Sequence, residues 1–364
     1  MYAKKALSNI TLTTNLKVLF HFSNDPRSHS NQIFNTSFDI NWSVNEAVKC
    51  VFENNNIAVS TIDCISPNEA DFAFFFNIPF LWDRQAWRAI RQTANNNCLI
   101  IYEPIFVNPL NYMGLLHRFF SVILTIDADM ARRGGRYSHI IAPQSMHGIN
   151  SKEMCFHDKK FFVLINANKE VFLPFRIFTI RNRELYSERI KFLEFAESYP
   201  IEGFDLYGKG WNSPKKYSLT EKLFGYKKYR SYRGTVGDTK KIEVLSHYRF
   251  ALCFENAVQR GSITEKIFDC FKARCVPVYL GAPDIAEYIP ADCFIDFRKF
   301  ASYNSMLSFL QSMSEDKYVK YIKAIEKFLD AETTMNYWFE RGFADRLFKV
   351  FKENSDVRLM VSST

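Results

Sequence analysis

The stretch RFALCFENAVQRGSITEKIFDCFKARCVPVYLGAPDIAEYIPADCFIDF, residues 249–297, decides how this chain is read. It opens on an apolar run, Arg249 to Phe254, of strand length and composition. Glu255 and Asn256 follow, and then a polar loop containing Gly261. Ser262-Ile263-Thr264-Glu265-Lys266 next opens a segment in which Ile267, Phe268 and Phe271 recur at helical spacing. VPVYL at 276–280 makes a further strand. The order is strand, loop, helix, strand. The first turn of such a helix leaves backbone N–H groups unpaired and carries partial positive charge, so it is a natural phosphate site. Ser262 or Thr264 can cap it, and Glu265 fits a capping box if Ser262 is the N-cap. On local physics alone, Glu265 is equally a capping acid and Lys266 a surface base.

Outward from this stretch, short β-rich runs alternate with helical periods, the pattern of an α/β architecture with parallel sheets. Strands are expected near 17–22, 57–61, 71–76, 98–102 and 121–126, with helices near 44–54 and 84–95. A second series places strands near 161–165, 204–207, 249–254, 276–280 and 293–295, and helices near 183–197, 239–246, 264–273, 303–313 and 315–329. The polar, irregular segment 147–160 suits a hinge. The expected units are therefore 1–155, 156–334, and a Phe-rich helix near 335–352 with a polar tail to 364, packing back on the first unit. Two doubly wound, Rossmann-like domains facing each other form a cleft at the carboxyl ends of their strands, where open α/β sheets bind ligands.

The 364 residues, 47% hydrophobic and 24% charged, describe a globular chain with a sizeable core, which excludes disordered and collagenous classes. The aromatic share of 16% fills apolar positions with rings. No apolar window is long enough to span a bilayer, and residues 1–15 lack the apolar run of a signal peptide. Eight scattered cysteines without a C-x-x-C pair read as reduced thiols, so a cytoplasmic setting is expected. Net charge +8 favours anionic partners. Ten Lys/Arg between Lys209 and Lys241, interleaved with tyrosines, read as a solvated basic loop, a phosphate site or a contact with an anionic membrane. No nucleic-acid-binding pattern accompanies them, and no nucleic-acid partner is expected.

The order F-E-N-x5-S-I-T-E-K-I, then V-P-V-Y-L-G-A-P, Y-I-P and F-I-D-F, resembles the donor-binding signature of the α1,3/4-fucosyltransferase family, glycosyltransferase family ten. FDLYGKGW at 204–211 and YRGTVGDTKKIEVLSHYRFALCFEN at 232–256 resemble the segments preceding it, so the likeness is strong over about 160–300 and weaker before. It implies a GT-B fold, with a C-terminal domain binding GDP-fucose and an N-terminal domain carrying the acceptor site and the catalytic base. By resemblance, Lys266 contacts the donor phosphates, while Glu265 and Asn256, with Glu255 before it, hold the nucleotide sugar. Ser262, Thr264 and Tyr207 are counted with the donor-binding residues. A second phosphate ligand is expected at Arg189, ahead of the strand ending in Tyr207-Gly208, with Arg181 and Arg183 as rivals. Arg189 would otherwise pair with Glu184, Glu188 or Glu194 on a helix surface.

Tyr102-Glu103-Pro104, at the end of a strand, resembles the family's loop that supplies the general base, making Glu103 the expected catalytic residue. The implied reaction is inverting transfer of L-fucose from GDP-β-L-fucose to an oligosaccharide or lipid-linked glycan, with an α1,3-type linkage. Another nucleotide sugar, or glycan binding without turnover, is the alternative. Ser262 stands where family members commonly have Tyr; either Arg260 or a nearby Tyr replaces that ring, or donor preference has drifted. Asp127 and Asp129 form a D-x-D, yet no metal site and no required cofactor are expected, a divalent ion being at most stimulatory. His21 is expected near the cleft.

Overall fold

The computed structural model describes residues 16–23, 29–36, 43–148, 154–180, 182–214 and 219–355. The N-terminal sheet contains β1 (Leu16–Phe22), β2 (Ile57–Thr61), β3 (Phe72–Phe76), β4 (Asn97–Ile101), β5 (Val122–Thr125) and β6 (Tyr137–His139). Its order is β2-β1-β3-β4-β5-β6 and every pairing is parallel. The C-terminal sheet contains β7 (Lys160–Ile165), β8 (Phe204–Tyr207), β9 (Tyr232–Gly234), β10 (Tyr248–Phe254), β11 (Val276–Leu280) and β12 (Ile295–Asp296). Its order is β12-β11-β10-β7-β8-β9, again wholly parallel. Strand order reverses between β1 and β3 in one sheet and between β7 and β10 in the other, which opens a crevice at each switch point.

Helices α1 (Ser43–Glu53), α2 (Arg84–Gln92), α3 (Gly114–His117) and α4 (Ala128–Ala131) belong to the first unit. The second has α5 (Tyr186–Ser198), α6 (Leu219–Phe224), α7 (Asp238–Ser246), α8 (Glu265–Lys272), α9 (Tyr303–Gln311), α10 (Glu315–Asp330) and α11 (Glu332–Trp338). α12 (Glu340–Asn354) returns to the first: Phe343, Ala344, Leu347 and Phe351 are buried with Phe52 of α1 and Phe72 and Phe74 of β3. Phenylalanines dominate that core, with Phe20 stacked on Phe74 at 5.0 Å and edge-on to Phe34 at 5.6 Å. Each fully buried ring contributes roughly 1.5–3 kcal/mol relative to exposure.

Three expectations are corrected. The single helix near 335–352 is two, because Phe339 is extended (φ −95°, ψ 175°) where the chain crosses between units and Gln144 N bonds Trp338 O at 2.7 Å. Gly342 permits the tight corner, since a Cβ there would sit 1.8 Å from Asn336 O. The short edge strands β6 and β9, three residues each, carry too little periodicity to be read from sequence. The hinge placed at 147–160 includes residues 149–153, which lie outside the described residues, and Lys160 already belongs to β7.

Candidate active site

β7, β8 and β10 end side by side, and the loops that leave them enclose a cavity of about 270 Å³. Asn166, Ala167 and Lys169 follow β7, Gly208 and Lys209 follow β8, and Asn256 follows β10; Arg189, Lys241, Glu265 and Lys266 complete the lining with Ile165 and Val236. Five cations thus face one carboxylate. The loops are laced together: Trp211 Nε1 donates to Asn166 O at 2.6 Å, and Asn168 Nδ2 to Gly210 O at 3.0 Å.

Arg189 projects from α5 and is 3% exposed. Its Nη2 donates to Phe254 O at 2.6 Å, Glu255 O at 2.7 Å and Asn256 Oδ1 at 3.2 Å, and its Nε has no partner among the described residues. It forms no ion pair with Glu184, Glu188 or Glu194; Glu188 instead takes Arg183 and Lys191, each at 3.4 Å. Burial pushes the Arg189 pKa down, as expected for a desolvated guanidinium met only by neutral oxygens. Such a charge is costly unless an anion joins it. Arg181 lies outside the described residues.

Glu255, 2% exposed, organises the start of α8. It accepts from Thr264 N at 2.9 Å, Thr264 Oγ1 at 2.7 Å and Lys266 Nζ at 3.0 Å. Gly281 makes room for it, since a Cβ there would meet Glu255 Cγ at 2.5 Å. The capping box built on Ser262 does not form. α8 begins at Glu265 with Thr264 as N-cap, but the Thr264 hydroxyl donates to the buried carboxylate and its oxygen accepts from Lys266 Nζ at 2.8 Å, so it caps no backbone N–H. Desolvation opposes the Lys266 charge, but Glu255 and Glu265 outweigh it and hold its pKa above the usual lysine value. Glu265 is 59% exposed on its side chain, and against the effect of desolvation the Lys266 and Lys241 charges bring its pKa to about 2. Lys241 is paired with Asp269 at 2.7 Å.

Two further cavities continue from the first. One, about 320 Å³, lies between the units and is lined by Tyr102, Glu103, Pro104, Ala142 and Pro143 on one side and by Glu255, Asn256, Ser262, Thr264, Glu265 and Lys266 on the other. The next, about 570 Å³, is aromatic: Phe80, Trp82, Phe106, Phe172, Phe175 and Tyr186 surround it, with Glu103 again on its wall. Lys169 and Asn256 line all three, so they form one continuous cleft. Burial raises the Glu103 pKa, and Lys169 and Lys266 moderate the rise.

Glu103 stands at the end of β4 because two amides hold its loop. Asn77, in left-handed conformation at φ 62°, accepts through Oδ1 from Tyr102 N at 3.1 Å, Glu103 N at 3.2 Å and Asn111 Nδ2 at 2.8 Å. Asn111 Oδ1 in turn accepts from Ile78 N at 2.8 Å. Sequence reasoning missed this pair, and it missed Lys169; an Asn closing a buried strand, a residue that tolerates φ > 0, was the available signal.

Other expected residues lie elsewhere. Tyr207 is not in the lining; its hydroxyl faces the Tyr248 hydroxyl at 3.3 Å, above a buried network on Asp205. Arg260 does not replace the missing ring, because it reaches Asp129 at 3.6 Å, Asp284 at 3.5 Å and Glu287 at 3.3 Å. Asp127 caps α4 by accepting from Asp129 N and Met130 N, each at 3.0 Å, so the D-x-D is a helix start. No group of three His, Cys, Asp or Glu among the described residues is arranged to hold a metal ion. His21 is turned to Asp83 at 3.4 Å and lines none of the three cavities.

Two parallel doubly wound sheets with a cleft at their carboxyl ends define a GT-B glycosyltransferase fold, and comparison with solved structures agrees. An α1,3-fucosyltransferase crystal structure with GDP matches over 96% of this chain and 94% of its own, at TM-score 0.54 and 14% identity. An α-glucosyltransferase in complex with UDP-glucose and DNA matches 93% of this chain and 99% of its own, at TM-score 0.53 and 9% identity. Those identities speak for fold alone.

The family model described as glycosyltransferase family 10 (fucosyltransferase) C-term matches residues 182–346, a little under half of the chain. Among curated relatives, the Helicobacter pylori alpha-(1,3)-fucosyltransferase FucT is 27% identical over 124 residues, 34% of this chain and 26% of its own. The human alpha-(1,3)-fucosyltransferase 7 is 36% identical over 83 residues, 22% of this chain and 24% of its own. The chain thus spans about a quarter of the length of these relatives.

Proposed function

We propose that this chain transfers L-fucose from GDP-β-L-fucose to a hydroxyl of a glycan, with inversion to an α-linkage, most simply α1,3. The observation that carries the reading is that Glu103 of one unit and Lys266 of the other line the same cavity, which opens on the cation-rich donor pocket. In this reading Glu103 takes the proton of the acceptor hydroxyl as its oxygen bonds to the anomeric carbon. The bond from that carbon to the phosphate oxygen breaks, and GDP leaves with the electron pair. Lys266, Arg189 and the α8 N-terminus meet the charge that grows on the diphosphate, and such preorganised groups are commonly worth about 3–4 kcal/mol each. Glu265 and Asn256 hold the donor sugar, and Glu255 positions Lys266. Side-chain cations answer the diphosphate, so the reaction as proposed needs no cofactor, and a divalent metal is at most stimulatory.

A second reading, another nucleotide sugar in the same cleft, is favoured by Ser262 in place of a ring and by the equal fold likeness to a UDP-glucose-bound enzyme. Thermal unfolding with GDP, GDP-fucose, GDP-mannose, UDP and UDP-glucose separates the two. Protection by GDP and GDP-fucose, followed by product formation on a glycan panel, supports the first; protection by UDP species alone sinks it. No helix among the described residues is long and apolar enough to cross a membrane.

A further inference from the structure

We propose that the N-terminal unit docks on an anionic lipid bilayer through the face formed by Leu81, Trp82, the outer side of α2 and the segment 113–119. α2 follows Leu81 and Trp82 directly, and Asp83 caps it by accepting from Ala86 N at 3.0 Å. Ala86, Ala89 and Ile90 are buried against the sheet, whereas Arg84, Arg88 and Arg91, at i, i+4 and i+7, share the exposed side. None of these three, nor the exposed Arg118, makes an ion pair among the described residues. Large apolar side chains border the arginines: Trp82 is 75% exposed, and Leu81, Met113, Leu115 and Phe119 are exposed too.

Contacts join these pieces into one patch. Trp87 of α2 meets Phe119 edge-on at 5.9 Å and donates from Nε1 to Phe80 O at 3.0 Å, while Phe80 stacks on Trp82 at 4.5 Å. Arginines without acidic partners, beside Trp and Leu, match a face lying in the headgroup layer of an anionic membrane. A merely solvated basic face gives no reason for five exposed large apolar side chains. A phosphate backbone would answer the arginines but not the apolar rim. In the basic run 209–241, by contrast, four of the ten cations are drawn onto acids: Lys227 on Glu194, Arg230 on Glu197, Arg233 on Asp205 and Lys241 on Asp269.

Phe80 and Trp82 also line the cavity that holds Glu103, so a docked face brings the acceptor mouth to the headgroup layer. The acceptor would then be a glycan displayed on a lipid. That consequence rests on the proposed transfer reaction, whereas the docking does not.

The test is co-sedimentation of the full chain with phosphatidylcholine vesicles, with and without phosphatidylglycerol, at low and high salt. Binding is expected only with phosphatidylglycerol and is weakened by salt. At about fivefold per arginine, the Arg84→Gln/Arg88→Gln/Arg91→Gln variant should lose on the order of 100-fold in partitioning. Leu81→Ser/Leu115→Ser should lose about tenfold or more. GDP protection against unfolding should be unchanged in both, which reports an intact fold. Four results each overturn the proposal: no vesicle binding, equal binding to uncharged vesicles, wild-type binding by the triple variant, or loss that follows Leu223→Ser/Phe224→Ser, the exposed apolar pair at the end of α6, instead. Displacement of the vesicles by duplex DNA at equal phosphate would also overturn it. Absence of GDP protection in the wild type would count against the transferase reading and leave the docking result standing.

Discussion

Replacing Lys266 removes two things at once, and the structure says how to separate them. Lys266 Nζ lies 3.0 Å from a Glu255 oxygen, and Glu255 is 2% exposed, so Lys266→Met strands a buried carboxylate with only Thr264 as donor. Breaking a buried pair from one side costs roughly 3–5 kcal/mol. At roughly 2–4 °C per kcal/mol for a unit of this size, the melting temperature should fall by roughly 6–20 °C. Glu255→Gln is milder, about 1–3 kcal/mol, because Lys266 keeps Glu265 at 3.4 Å and is still 14% exposed. The double variant removes both charges and should recover part of the loss, giving a coupling of roughly 2–3 kcal/mol in the cycle. Donor binding must follow a different pattern. GDP at about 100 times its dissociation constant should add about 2.7 kcal/mol to the wild type. Glu255→Gln should be protected at least as well, since the Lys266 charge is then less neutralised, while both Lys266 variants should lose most of the protection. The assay is thermal unfolding of four proteins with and without GDP. Additive stabilities, or full GDP protection of Lys266→Met, would refute the reasoning.

Glu103→Gln should lower turnover by about 10²–10⁴-fold and leave GDP protection intact, which single-turnover rates and melting curves together decide. Because burial raises the Glu103 pKa, turnover should climb with pH through a midpoint above the ordinary glutamate range, and Lys169→Met should move that limb higher still. Asn77→Gly keeps the left-handed backbone but removes the acceptor of two backbone N–H groups and of the Asn111 amide, so it should cost about 1–3 kcal/mol and reduce turnover more than GDP affinity. Glu265, depressed to about 2, contributes stability that is present above the unfolded glutamate value near 4.3 and is lost as pH falls toward its folded value; Glu265→Gln should flatten that part of the acid-unfolding curve.

Most of the fold was legible because strands such as FFVLI and CLIIY are continuous apolar runs, which buried parallel strands require. Boundaries failed where a tertiary contact overrode periodicity, as at Phe339, or where an element was three residues long. In the cleft, Glu103, Arg189 and Lys266 were found through an ordered pattern in one segment and strand ends elsewhere. Lys169 was invisible because it is one lysine in a loop, and its meaning comes only from β7 ending beside β10. Glu255 was noticed but given a contact with donor; its three short hydrogen bonds make it a residue that positions Lys266. Tyr207 was misplaced for the opposite reason. A strand's last residue points to one face or the other, and a motif does not say which.

Glu103 and the cations sit on different units, so their separation depends on whatever fixes one unit against the other. The loop between β10 and α8 does this directly. Ala128 N of α4 donates to Arg260 O at 3.0 Å, Gln259 Nε2 donates to the Tyr112 hydroxyl at 2.8 Å, and the Arg260 guanidinium reaches from Asp129 to Asp284. Gly261 is packed so closely under the first unit that a Cβ would meet His139 Nε2 at 2.5 Å. Three residues later the same chain becomes the α8 N-terminus that carries Glu265 and Lys266. A displacement of this loop therefore moves the Glu265 and Lys266 charges relative to Glu103. Arg260, one of the stand-ins expected for the missing ring, has a different place: it ties the β10–α8 loop to Asp129 of the first unit and to Asp284 of its own.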